Sequence, residues 1–146
     1  MKQRLVIGYG NTLRSDDGFG PYVVRALGER CEASSLRLIE QQLLTVDLCD
    51  ALEQAAICVL VDAATTGDVG ALQVRRIESS HAELGPMGHD LSPAQLLALT
   101  EQLTGQTPAC WLLTTRVLTT ELGEELSPEV AAVIPAAVAR VLALLD

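Results

Sequence analysis

Positive charge is scarce in this chain. Ten Lys and Arg stand against nineteen Asp and Glu, giving a net charge of −9 over 146 residues, and the basic residues are scattered. Nucleic-acid backbones and anionic lipid surfaces need clustered cations, so neither is an expected partner. Long hydrophobic runs are missing as well. Leu5-Val6-Ile7 is too short for a signal-peptide core, and no run approaches the roughly 20 apolar residues of a membrane span. A cytosolic protein that works away from membranes is expected. Its four cysteines, Cys31, Cys49, Cys58 and Cys110, form no CxxC pair, which argues against a zinc knuckle and for free thiols. Cys58 and Cys110 sit inside apolar runs that read as buried strands. No linker, repeat or low-complexity tract divides residues 1–146, so one domain is expected, and its size and acidity suggest a monomer.

Hydrophobic residues make up 49% of the chain. A domain of this length buries roughly 68–70% of its unfolded surface, so it needs no disulfide or structural metal to fold. Short apolar runs at Leu5–Tyr9, Leu36–Glu40, Ile57–Val61, Ala71–Ile77 and Trp111–Thr115 read as strands. Helical spacing covers Phe19–Arg30, with Phe19, Val23, Ala26 and Leu27 on one face, and a short helix is expected over Val46–Gln54. Ser92-Pro93-Ala94-Gln95 has a capping serine, a first-turn proline and the glutamine of a capping box. Ser127-Pro128-Glu129 opens a last helix running to about Leu145, with a bend at Pro135. Ser79–His89 reads as an irregular loop. Strands alternating with helices predict an α/β domain with a mostly parallel sheet covered on both faces. Ligands of such sheets bind beyond the carboxyl ends of the strands, which points to the loops after Tyr9 and Val61.

Several chemistries are missing their signatures. The loop Gly8-Tyr9-Gly10-Asn11-Thr12-Leu13 has leucine where a dinucleotide fingerprint needs its third glycine. There is no HExxH and no GxSxG. What is present is the pair Asp16-Asp17 at a helix start, Asp62 at the end of the purest apolar run, and two histidines, His81 and His89. Each has an ordinary structural explanation. Either aspartate could cap the helix, though capping needs only one of them. Asp62 could cap the turn at Thr65-Thr66-Gly67. Either histidine could be an exposed loop residue. Two carboxylates and an imidazole would also suit a hard-to-borderline divalent metal with open positions, or an acid/base site.

Four segments in order carry a family resemblance: GYGNTLRSDDGFG at 8–20, VLVDA at 59–63, GHDLSPAQLLAL at 88–99 and GEELSPEVAAVIPAAVARVLALL at 123–145. Together they resemble the hydrogenase maturation proteases, the endopeptidases that trim nickel-iron hydrogenase large-subunit precursors. The resemblance implies a three-layer α/β/α sandwich with a five-stranded sheet. It implies that Asp17, Asp62 and His89 are the nickel ligands and the catalytic set, whether the peptidase is aspartic-type or metal-dependent. It also implies that the nickel arrives in the partner, a large-subunit precursor, whose C-terminal extension is then removed. Some members carry Glu where this chain has Asp17. Many have an Asp-Gly-Gly segment where this chain reads Glu40-Gln41-Gln42-Leu43-Leu44, which leaves the cognate hydrogenase and the role of Gln41 and Gln42 open. His81 remains an alternative to His89, and Asp16 could be a general base beside Asp17. Two other readings stand beside this one: a non-catalytic metal-binding chaperone of the large subunit, and a small nucleotide- or phosphate-binding domain using Gly8 and Gly10.

Overall fold

The computed structural model describes residues 2–31, 36–79 and 90–146. Strands β1 (Gln3–Tyr9), β2 (Leu36–Gln41), β3 (Ala55–Ala64), β4 (Leu72–Ile77) and β5 (Ala109–Arg116) form one sheet in the order β2-β1-β3-β5-β4. All neighbours are parallel except β4, which runs antiparallel to β5 at an edge. Helices α1 (Phe19–Arg30), α2 (Cys49–Glu53), α3 (Pro93–Thr104), α4 (Pro128–Ala131) and α5 (Ile134–Leu145) cover it. Short 3-10 turns at Ser15–Gly18 and Val46–Leu48 lead into α1 and α2.

Side chains alternate between faces along a strand. Leu5, Ile7, Cys58, Leu60, Cys110 and Leu112 point to one face and pack with α2 and α3. Val6, Val59, Val61 and Leu113 point to the other and pack with α1 and α5. This double burial is why the central strands read as continuous apolar runs rather than alternating ones. The expected three-layer α/β/α sandwich with a five-stranded, mostly parallel sheet is therefore present. All four cysteines are free, and Cys58 and Cys110 lie opposite each other in β3 and β5.

Local signals set several boundaries. Ser92 and Gln95 form a reciprocal capping box on α3, and Gly105 closes that helix in the left-handed conformation, φ 77°. The last helix is not one bent rod. Val133 N–H bonds the Val130 carbonyl at 3.0 Å, tightening the backbone between α4 and α5. Pro135 then falls in the first turn of α5, where its missing N–H removes no helical bond. By length and composition alone, Pro128–Leu145 is apolar enough to cross a membrane. Here Val130, Ala137, Val138, Val141 and Leu145 are buried in the core of the domain.

α1 crosses the carboxyl end of the sheet at very short range. A Cβ on Gly20 would collide with the Val61 carbonyl and lie 2.8 Å from Tyr9 N. Only glycine permits this approach, and it brings the loop before α1 over the ends of β1 and β3. Gly20→Ala is therefore expected to lower stability by about 1–3 kcal/mol, the range for overpacking a filled site. Urea unfolding measures this, and an unchanged midpoint would show that the crossing is loose.

Candidate functional site

The chain runs from β1 to β2 on one side and then crosses back to β3 on the other. The crevice between the carboxyl ends of β1 and β3 is thus the topological switch point of the sheet. Both strands deliver polar residues there. β1 ends at Tyr9 and turns sharply at Gly10, whose φ of 144° suits glycine alone. Gly10 N–H donates to the Gln41 carbonyl at 3.0 Å, anchoring the turn to β2. Asn11 N–H donates to Asp17 Oδ2 at 2.7 Å, so the loop folds back on itself and fixes Asp17. Asp62 lies near the end of β3, and its Oδ1 accepts from Ala63 N–H at 2.7 Å.

Asp17 and Asp62 line one cavity of about 470 Å3, together with Tyr9, Gln42, Asp90 and Pro93. The structure thus brings together two of the three residues expected at the site. His89 and His81 lie outside the described residues. Asp90 and Leu91, which directly follow His89, line the same cavity. Among the described residues, no three His, Cys, Asp or Glu side chains are grouped to hold a metal ion. Gln41 now has a role. Its amide donates to the Leu43 carbonyl and to Thr45 Oγ1, both at 3.1 Å, shaping the loop whose Gln42, Leu43 and Leu44 wall the cavity.

The two aspartates of the first motif do different things. Neither the 3-10 turn nor α1 has a side-chain cap, so helix capping explains neither of them. Asp16 is fully buried. It accepts backbone N–H bonds from Leu118 at 2.9 Å, Thr119 at 3.2 Å and Ser127 at 2.7 Å, and the Ser127 hydroxyl as well. Burial alone would push its carboxyl up, but the bonds from Ser127, Leu118 and Thr119 outweigh it and hold the group below the usual carboxylate range. Asp16 is therefore not a general base beside Asp17. It clamps the β5–α4 loop onto the loop carrying Asp17. Neighbouring Ser15 takes a positive φ of 51°, held by bonds to the Gly123 and Glu121 carbonyls.

Asp62 has the opposite electrostatics. Burial pushes its carboxyl up to about 7, opposed by bonds from Ala63 N–H and the Tyr9 hydroxyl and reinforced by the nearby charge of Asp17. The Tyr9 phenol is in turn held protonated, first by burial and then by Asp62. Tyr9 was legible only as the last residue of a strand run. Nothing in its local spacing marked it as the partner of Asp62.

A scan against protein-family models finds no match, and neither does a search of curated proteins. Solved structures do match. The hydrogenase 2 maturation peptidase from Thaumarchaeota archaeon SCGC_AB-539-E09 is 30% identical, with a TM-score of 0.75 over 99% of this chain and 98% of that one. The hydrogenase maturating endopeptidase HybD from E. coli is 25% identical, with a TM-score of 0.80 over 98% of this chain and 91% of that one. A third, the hydrogenase maturation protease HycI from Thermococcus kodakarensis KOD1, is 19% identical at a TM-score of 0.77 and shares the fold. The fold and these likenesses together define a small α/β peptidase. The chain belongs to the hydrogenase maturation protease family.

Two outcomes test these roles. Removing the Asp16 carboxylate strands three backbone N–H groups, so Asp16→Ala should cost about 3 kcal/mol or more at pH 7. Because the folded pKa of Asp16 is lowered, its contribution is present above the unfolded value near 4 and is lost as pH falls through the folded value. The gap between wild type and variant should therefore narrow in acid, and a gap independent of pH would contradict the clamp. Asp62 works the other way: its folded pKa is raised, so stability falls as pH rises from about 4 through about 7. Asp62→Asn should be the more stable protein at pH 8, by on the order of 2–4 kcal/mol, with no gain at pH 4. Equal melting temperatures at pH 8 would show that Asp62 ionises without cost.

Proposed function

We propose that this protein removes a C-terminal extension from a nickel-loaded hydrogenase large-subunit precursor, reading the nickel through Asp17, Asp62 and His89. The observation that carries this reading is the shared cleft: Asp17 and Asp62, from separate motifs 45 residues apart in sequence, line one cavity at the switch point. His89 joins them through its position in the sequence, one residue before Asp90, which lines that cavity.

Two carboxylates and an imidazole suit a hard-to-borderline divalent ion and leave positions for ligands from a partner. Nickel is then a feature of the substrate, shared between two proteins on docking, and not a resident cofactor. A cation so placed polarises a carbonyl or acidifies a water. The chain's own residues orient and hold. Asn11 N–H fixes one oxygen of Asp17, Ala63 N–H fixes one oxygen of Asp62, and the Asp16 clamp keeps the loop carrying Asp17 in place. The setting is the cytoplasm, and one copy of the chain meets one precursor.

Purified precursor, with and without nickel, is the test material. Wild-type protein should shorten only the nickel-loaded form. Asp17→Ala, Asp62→Ala and His89→Ala should each reduce processing by about 100-fold or more while remaining folded, as expected for groups that contact the reacting centre. Trimming of metal-free precursor would refute the nickel reading, and full activity in all three variants would refute the site.

A further inference from the structure

The cleft does not end at Asp62. A second cavity of about 630 Å3 continues across the sheet to β4 and shares Tyr9, Asp62 and Pro93 with the first. Strand register explains its lining. Asp62 lies opposite Thr114, and Thr114 lies opposite Gln73. Residues opposite one another in register share a face, so Asp62, Thr114 and Gln73 form one polar row. Arg75, two residues from Gln73 along β4, is on the same face and lines the same cavity. Arg76, the next residue, points the other way and stacks on Trp111 at 5.4 Å.

The two arms of the cleft differ in charge. Among the described residues, the first is lined by Asp17, Asp62 and Asp90 and by no Lys or Arg. The second has, among the described residues, Arg75 and no acid besides Asp62. Arg75 is exposed, and among the described residues the one ion pair is Arg25 with Glu40. A planar guanidinium can pair bidentately with a carboxylate, and the amide of Gln73 and the hydroxyl of Thr114 belong to residues lining the same cavity.

We propose that Arg75, with Gln73 and Thr114, forms a subsite for a carboxylate of the substrate chain, across Asp62 from Asp17. The proposal rests on the peptidase reading of the cleft and adds a direction to it. The metal-bearing segment lies in the acidic arm, and the segment with the carboxylate lies in the Arg75 arm. The carboxylate is either the terminal one of the extension or an Asp or Glu side chain within it.

The test compares wild type, Arg75→Gln and Arg76→Gln on nickel-loaded precursor, measuring both cleavage kinetics and binding of the intact precursor. Arg76→Gln removes the same charge from the same strand on the opposite face. Arg75→Gln should raise KM about fivefold with little change in kcat, the size of an exposed ion pair, and Arg76→Gln should not. Precursors whose extension carries Asn or Gln for its acids, or one extra C-terminal residue, then separate a side-chain source from the terminal carboxylate. The correct change abolishes the difference between wild type and Arg75→Gln. Equal KM for wild type and Arg75→Gln, or an equal rise in both variants, overturns the subsite. A wild type that binds precursor without cutting it fails the protease reading instead, and the binding data still decide the role of Arg75.

Discussion

A single buried carboxylate holds the working end of this molecule together. Asp16 gathers the backbone of Leu118, Thr119 and Ser127 around one charge, and so joins the loop after β1 to the loop after β5. Burying an ion is costly unless its lone pairs are filled, and here they are filled by donors from a distant part of the chain. The clamp and the close crossing of Gly20 over the sheet end act on the same few residues. Between them they leave Asp17 little freedom, and Asp17 is set over the crevice where Asp62 emerges.

Asp16 and Asp62 thus divide labour. Asp16 is stabilised as an anion by its hydrogen bonds and serves the fold. Asp62, one strand over, is disfavoured as an anion by burial and by the charge of Asp17. A carboxylate kept at a disadvantage in the free protein is what a site that meets a cation from outside would hold, because the incoming charge relieves the penalty.

Much of the architecture was legible because the signals were local. The capping box at Ser92, the helical spacing of Phe19–Arg30 and the apolar runs of β1 and β3 are written within a few neighbouring residues. Asp62 stood out because a charge ends a run that must be buried. The role of Asp16 is not legible in the sequence, because its partners lie more than a hundred residues away and no window around it shows them. Pro135 was read as a bend because the break before it depends on the local backbone bond of Val133. Tyr9 and Arg75 carried no mark of function. Their roles come from strand order and register, which set β1 beside β3 and bring β4 to the edge.

The central claim is that Asp17 and Asp62 coordinate a metal carried by the partner. X-ray absorption at the nickel edge, on nickel-loaded precursor mixed with this protein under conditions that block cleavage, tests it directly. The account predicts that the nickel gains oxygen or nitrogen neighbours on complex formation, and that Asp17→Ala and Asp62→Ala each remove one. A nickel environment unchanged by binding, or unchanged between wild type and both variants, would contradict it.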